Sequence, residues 1–209
     1  TCEQQRSMPS GEAVSINVYV RVRGSSDEVS TPSDKPGALV CRNLEFMMDG
    51  AFDCETGQQP VYETSAASQV ERVMQGYNST IRAYGQTGSG KTFTMMGSAD
   101  SDHREGASGV IQQAVYDLFG RGTDMDDRMR VTMAYMEVYN EKIYDLLCKD
   151  GKTRTLEPRE DVKHNTVIVA GLSHERVTGP GQVIHLIKKG NSRRRTEPTS
   201  ANLVSSRSH

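Results

Sequence analysis

The chain has 209 residues, enough for one sizeable core or two small ones, with 25% of them charged and a formal net charge of −2. That balance offers no global basic field for nucleic acid, and no apolar run approaches the ~18 residues needed to span a bilayer. Hydrophobic content is 35% and tryptophan is absent, which points to long polar loops around a modest core.

Residues 1–15 are polar and read as a flexible leader. TCEQQRSMPSGEA has no apolar signal-peptide region and does not open on methionine, so a trimmed piece of something longer is expected. Cys2, Cys41, Cys54 and Cys148 show no C-x-x-C spacing and read as reduced thiols of an intracellular protein, not as a zinc site. SINVYVRVR alternates, with Ile16, Val18, Val20 and Val22 on one side, which predicts a strand. Residues 24–37 are turn-rich and a weaker strand follows over 38–41. Residues 60–75 carry Val61, Val70, Val73 and Met74 at helical spacing. STIRAYGQT then predicts a strand over 80–84 running into GQTGSGKT, and KTFTMM leaves that loop as a helix.

After a charged loop at 98–108, GVIQQAVYDLF predicts an amphipathic helix with Val110, Ile111, Val115, Leu118 and Phe119 on its buried side. MRVTMAYMEVYN is the strongest strand signal in the chain, and EKIYDLL after it predicts a short helix. TRTLEPREDVKHNTVIVAGL suggests a hairpin. GPGQVIHLIKKG suggests a helix with proline near its start and glycine just past its end. Strands alternate with helices and no repeat or boundary interrupts them, so the expectation is one α/β domain over 16–209.

GQTGSGKT fits G-x-x-x-x-G-K-[ST], with Gly85, Gly90, Lys91 and Thr92 at the fixed positions. Glycines let the backbone N–H groups of Gly88, Ser89, Gly90 and Lys91 approach a phosphate, and the helix that follows turns its positive end to the same anion. Lys91 would reach the β- and γ-phosphates and the Thr92 hydroxyl would ligate Mg²⁺. A plain glycine-rich turn is the rival reading; the expected strand before and helix after favour the phosphate loop. At the other end, NLVSSRSH is a polar tail on composition alone. Yet Asn202, Ser205, Ser206 and Arg207 offer the short polar groups of a loop that closes on a γ-phosphate and its Mg²⁺.

GYNSTIRAYGQTGSGKTFTMMG, YMEVYNEKIYDLL and NLVSSRSH, with VYVRVR ahead of them, together resemble the motor domain of the kinesins. The order of all four blocks matches, and the resemblance runs over about 16–209. It implies a P-loop NTPase of kinesin type: a central, mostly parallel or mixed β-sheet flanked by helices on both faces, here incomplete at its C-terminal side. It implies an ATPase that uses ATP/ADP and Mg²⁺, partners microtubules, and sits in the cytoplasm on the cytoskeleton, with no role for nucleic acid or membrane.

Carried over by position, Gly85, Gln86, Thr87, Gly88, Ser89, Gly90, Lys91 and Thr92 form the ATP loop, and Phe93 stands beside the base. Arg21 and Arg23 fall where first-strand arginines flank the adenine, although the solvent face of an alternating strand also accounts for them. Asn202, Ser205, Ser206 and Arg207 match the first switch, with Ser205 as the residue that touches Mg²⁺. The catalytic set is then Lys91, Asn202, Ser205, Ser206 and Arg207. The hairpin within 155–171 corresponds to a loop that meets tubulin in relatives, which makes Arg159 and Lys163 either contacts or ordinary solvated charges. The basic cluster Lys188, Lys189, Arg193, Arg194 and Arg195 reads as a solvent-facing complement to a helix dipole, with tubulin docking as the lesser reading.

The chain also departs from the family pattern. Gly24 stands where proline is usual after the second strand arginine, and GVIQQ replaces G-[IV]-[IV]-P-R, so Gln112 lacks the helix-starting proline. The stretch 24–46 is shorter than usual. No D-x-x-G second switch follows an apolar strand; DLFG at 117–120 imitates one but sits at the end of an amphipathic helix. The sequence alone therefore leaves two functions open, an ATP-hydrolysing motor and a degenerate kinesin-like module that holds nucleotide or tubulin without useful turnover. A small-molecule phosphotransferase would carry no SSRSH block. From the family's sheet order and the second switch, the resemblance also implies that 1–209 by itself would not be an autonomous folded ATPase and that any nucleotide it held would be ADP rather than ATP.

Overall fold

The computed structural model describes residues 16–25, 28–98, 108–122, 129–149 and 154–194, and the backbone of 197–199 and 202–205. The leader expected at 1–15 lies outside them. The chain divides into two units, Thr1–Thr56 and Gly57–His209.

In the first unit the alternating segment forms only a short strand, β1 (Tyr19–Arg21). A small antiparallel sheet follows, made of β2 (Val29–Ser30), β3 (Ala38–Cys41) and β4 (Leu44–Met47) in that order. The stretch expected to be turn therefore contains a strand. The β3–β4 hairpin closes on Arg42 and Asn43, both at positive φ (47° and 66°), the two-residue geometry whose twist matches the flanking strands. Strand β5 (Gly50–Phe52) runs parallel to β1 with Tyr19 opposite Gly50. The pairing extends past both ends, because Asp49 N–H donates to Val18 O and Val22 N–H to Phe52 O, each at 2.9 Å. Ile16 lies beyond this ladder and is exposed.

The second unit opens with two helices where the sequence suggested one. Helices α1 (Gln58–Ser65) and α2 (Ala67–Met74) meet at Ala66, whose φ/ψ of −128°/−29° breaks the helical run while its N–H still bonds Tyr62 O. Val61, Tyr62, Ala66 and Val70 face inward, whereas Val73, expected among them, is exposed. The strand predicted over 80–84 does not form: no described strand lies alongside it, and an extended segment without a neighbour has no partner for its backbone groups. Tyr84 is accordingly 96% exposed. Helix α3 (Lys91–Met96) follows the glycine loop and helix α4 (Val110–Gly122) follows after it. The latter includes DLFG, so that stretch is helical and no second switch.

Helix α4 is tied to α1 by a polar triad. The Tyr62 hydroxyl donates to Asp117 Oδ2 at 2.7 Å, and Arg121 Nε donates to Asp117 Oδ1 at 2.6 Å. Burial pushes Asp117 up, but the two donors outweigh it and hold the carboxyl below its ordinary value. Burial first, then the bonded carboxylate, raises the Tyr62 phenol.

The long apolar segment at 129–140 divides between two sheets as β6 (Val131–Met133) and β7 (Met136–Tyr139). EKIYDLL, expected to be a helix, instead supplies β8 (Lys142–Asp145), antiparallel to β7. The turn between them is Asn140–Glu141 with both φ positive (49° and 61°), again the tight hairpin geometry. Strand β9 (Thr155–Leu156) adds to the other side of β8. The hairpin expected within 155–171 is present as β10 (Pro158–Asp161) and β11 (Thr166–Val169). Its tip is held by Asp161 Oδ1, which accepts the N–H groups of Lys163 and His164. Strand β12 (Glu175–Val177) pairs antiparallel with β6. Helix α5 (Pro180–Asn191) begins on proline as expected. Gly190 is not past its end but inside its last turn and buried, since a Cβ there would run into the Tyr135 ring. Strands β13 (Glu197–Thr199) and β14 (Asn202–Ser205) form a final antiparallel pair.

Leu146 and Leu147 are almost wholly buried, with Tyr144, Cys148, Val177 and Val183 also in the core. Asp145 fixes their approach by accepting Leu147 N–H at 2.8 Å and Ser173 N–H at 3.0 Å. Among the described residues no helix is long and apolar enough to cross a membrane.

Candidate functional site: the glycine loop and its supports

The glycine loop makes its turn with Gly88 at φ 83° and Gly90 at φ 97°, conformations that other residues adopt only at a cost. Gly85 sits at φ 154°, and a Cβ there would collide with the Ser89 hydroxyl, so the loop closes on itself at that glycine. Ser89 N–H donates to Gln86 O at 3.1 Å and completes the turn. Gln86 and Thr87 are exposed at its rim.

Lys91 reaches back across this turn: its ammonium donates to Gly85 O at 2.7 Å and to Gln86 O at 2.9 Å. An ammonium has three donors, so this grip fixes the charge over the loop while leaving capacity for an anion. Helix α3 starts at the same lysine, and its first internal bond is Thr94 N–H to Gly90 O at 2.9 Å. The N–H groups of Lys91 and Thr92 therefore precede the helical ladder and face out of its positive end. Thr92 and Phe93 are exposed. A glycine turn that side chains would fill, a cation held over it and a helix start facing the same side fit a phosphate, and an exposed threonine hydroxyl next to the lysine fits a hard cation bound with it.

The support of α3 was not legible in the sequence. Gln58, 2% exposed, donates from Nε2 to Phe93 O at 2.6 Å. Gln113 Nε2 donates to Ser108 O at 2.7 Å and to Gln58 O at 3.3 Å. Gln112 was the residue the family pattern drew attention to, but its neighbour makes these bonds. Gly97 and Ser108 form a β-bridge, and a Cβ on Gly109 would collide with Gly97 N and the Met95 carbonyl. Gly109→Ala should therefore force two backbones apart and destabilise the unit by about 1–3 kcal/mol. A urea midpoint equal to that of the unaltered protein would refute this.

In the first unit, Arg21 is part-buried and donates to Thr56 O at 3.0 Å, and burial lowers its guanidinium from the ordinary value. It is thus more than a solvent-face residue, while Arg23 is exposed. The backbone of Asn202 and Ser205 lies in β14. Ser206 and Arg207 fall outside the described residues. Arg159 and Lys163 are exposed on the β10–β11 hairpin beside Val162 and Val167.

The basic cluster does not all face solvent as expected. Lys188 and Lys189 are exposed in the last turn of α5, but Arg193 Nη1 donates to Leu146 O at 3.0 Å and to Cys148 O at 2.9 Å. Arg194 Nε lies 3.7 Å from Glu137 Oε1, a carboxylate that is 1% exposed. Tyr135 O–H donates to Asn191 Oδ1 at 2.6 Å. The end of α5 is therefore bound to β7 and the segment after β8. Arg195 lies outside the described residues.

The family model for the kinesin motor domain matches residues 5–209. The chain is 36% identical to kinesin-like protein cut7 of Schizosaccharomyces pombe over 217 aligned positions, which cover 93% of this chain and 20% of that protein. It is 40% identical to kinesin-like protein KIF19 of Mus musculus over 185 positions, 88% of this chain and 18% of the relative. Against centromere-associated protein E of Homo sapiens the identity is 39% over 206 positions, 94% of this chain and 7% of the relative. The chain spans a fifth or less of the length of these relatives. It belongs to the kinesin motor-domain family, and its α/β architecture is that of the family's P-loop NTPase fold.

Proposed function

We propose that this chain is the nucleotide-holding part of a microtubule-stimulated ATPase that couples ATP hydrolysis to movement along microtubules. The observation that carries the reading is Lys91, fixed across a left-handed glycine turn at the start of a helix, in a chain of this family. ATP would lay its phosphates against the N–H groups of Gly88, Gly90 and Lys91, and against that of Ser89 once it turns from Gln86 O, with the Lys91 ammonium on the β- and γ-phosphates. Phe93, with Arg21 and Arg23, is assigned to the base on the resemblance. Mg²⁺, held by Thr92 and Ser205 when bound, would neutralise phosphate charge that builds up during cleavage. Asn202, Ser205, Ser206 and Arg207 would close on the γ-phosphate and orient the attacking water, so that catalysis is mostly positioning and electrostatics.

The microtubule is the proposed partner, with Arg159 and Lys163 as candidate contacts for its acidic surface, and a cytoplasmic, cytoskeletal location follows from that partner. The test is ATP turnover by the full-length protein with and without microtubules, alongside Ser206→Ala. We expect microtubules to accelerate turnover. The variant should keep its nucleotide affinity while its hydrolysis slows by about 10²-fold, because a switch group acts when the loop closes. Tight nucleotide binding with no turnover in either condition would leave the degenerate binding module as the correct reading.

A further inference from the structure

We infer that Gln58 is a positioning residue for the phosphate-binding helix, acting with Gln113 as a two-amide clamp that fixes where Lys91 and Thr92 point. The inference rests on the nucleotide reading above. Helix α3 has only six residues, too few to hold its own direction by internal hydrogen bonds. Its direction must come from outside.

Two groups of contacts supply it. At its middle, Phe93 O accepts Gly97 N–H at 2.9 Å and also the Gln58 amide at 2.6 Å. That carbonyl follows Thr92 directly in the chain. At its end, Gly97 bridges Ser108, whose carbonyl accepts Gln113 Nε2. The same Gln113 nitrogen reaches Gln58 O, which closes a ring from α3 through α1 to α4 and back to α3. Gln58 is the first residue of α1 and almost fully buried, so its amide is held by the body of the unit and not by the loop. A buried amide placed on a carbonyl already engaged in a helix has one structural consequence: it sets the tilt of that helix. Tilt matters here because the phosphate contacts come from the first residues of α3.

The test uses the full-length protein with Gln58→Leu, Gln113→Leu, the double variant and Lys91→Ala. Amide exchange at Thr94 and Gly97, read without nucleotide, reports the clamp itself, and calorimetric titration with Mg·ADP reports its effect on the loop. We expect faster exchange at both amides and about 10-fold weaker Mg·ADP binding in each single variant. The double variant should bind no worse than either single one, because the two amides act as one unit. Thermal midpoints should stay close enough that every variant is folded at the assay temperature. If the unaltered protein and Lys91→Ala differ in Mg·ADP affinity but Gln58→Leu and Gln113→Leu bind as tightly as the unaltered chain, the clamp is only packing and the inference falls alone. If the unaltered protein fails to bind Mg·ADP, the nucleotide reading falls and the inference with it.

Discussion

Lys91→Ala is expected to lower turnover of the complete protein by about 10²–10³-fold and to weaken Mg·ATP binding with it. The ammonium is the only positive charge that the described loop holds over its own turn, gripped by Gly85 O and Gln86 O. Its removal costs the site its charge and the loop two hydrogen bonds at once. The Gln86 carbonyl is exposed and water can replace the lysine there, while the Gly85 carbonyl is only part-buried, so the fold should survive and the loss should appear in nucleotide chemistry. Lys91→Arg keeps the charge but presents a planar fork where a compact point charge is needed, and should recover little activity. Hydrolysis at the unaltered rate in Lys91→Ala would remove the central claim about the site.

The largest effect on stability is expected from Arg194→Met. Glu137 is 1% exposed and its carboxylate lies 3.7 Å from Arg194 Nε, a separation that makes the contact chiefly an ion pair and not a good hydrogen bond. Taking away the guanidinium breaks this contact at a carboxylate in the core, and losing one partner of a buried ion pair costs about 3–5 kcal/mol. Burial raises the Tyr135 phenol while Arg194 opposes that shift, so the arginine also acts on a second group in the same cluster. The companion variant Glu137→Met/Arg194→Met removes both charges and should regain most of the loss. Urea denaturation of the three proteins decides the matter: equal midpoints for the unaltered chain and Arg194→Met would show that the pair carries no weight.

Local sequence determined much of this. The glycine loop, the helix that leaves it, the amphipathic helix α4, the proline-started α5 and the β10–β11 hairpin all follow from glycine and proline placement and from hydrophobic period. The fold family was legible too, because four ordered blocks of short-range pattern survive in the linear chain.

What the sequence misassigned depended on neighbours that the period of a segment does not encode. Ile143, Leu146 and Leu147 stand at i, i+3 and i+4 and read as a helix face, yet the tight Asn140–Glu141 turn delivers the segment beside β7 and makes it β8. The strong strand signal at 129–140 was correct in kind but became two strands, since β6 pairs with β12 and β7 with β8. The segment 80–84 has strand-like residues and no described strand beside it, so it stays irregular. Arg193 and Arg194 read from the sequence as solvent-facing charges, and no local pattern singles out Gln58. Their roles exist only because carbonyls and a carboxylate from distant parts of the chain converge on them. Periodicity and turn chemistry are properties of adjacent residues and could be read in order. Pairing, buried polar partners and the direction of a six-residue helix are set by contacts across many tens of residues, and only the tertiary structure decided those.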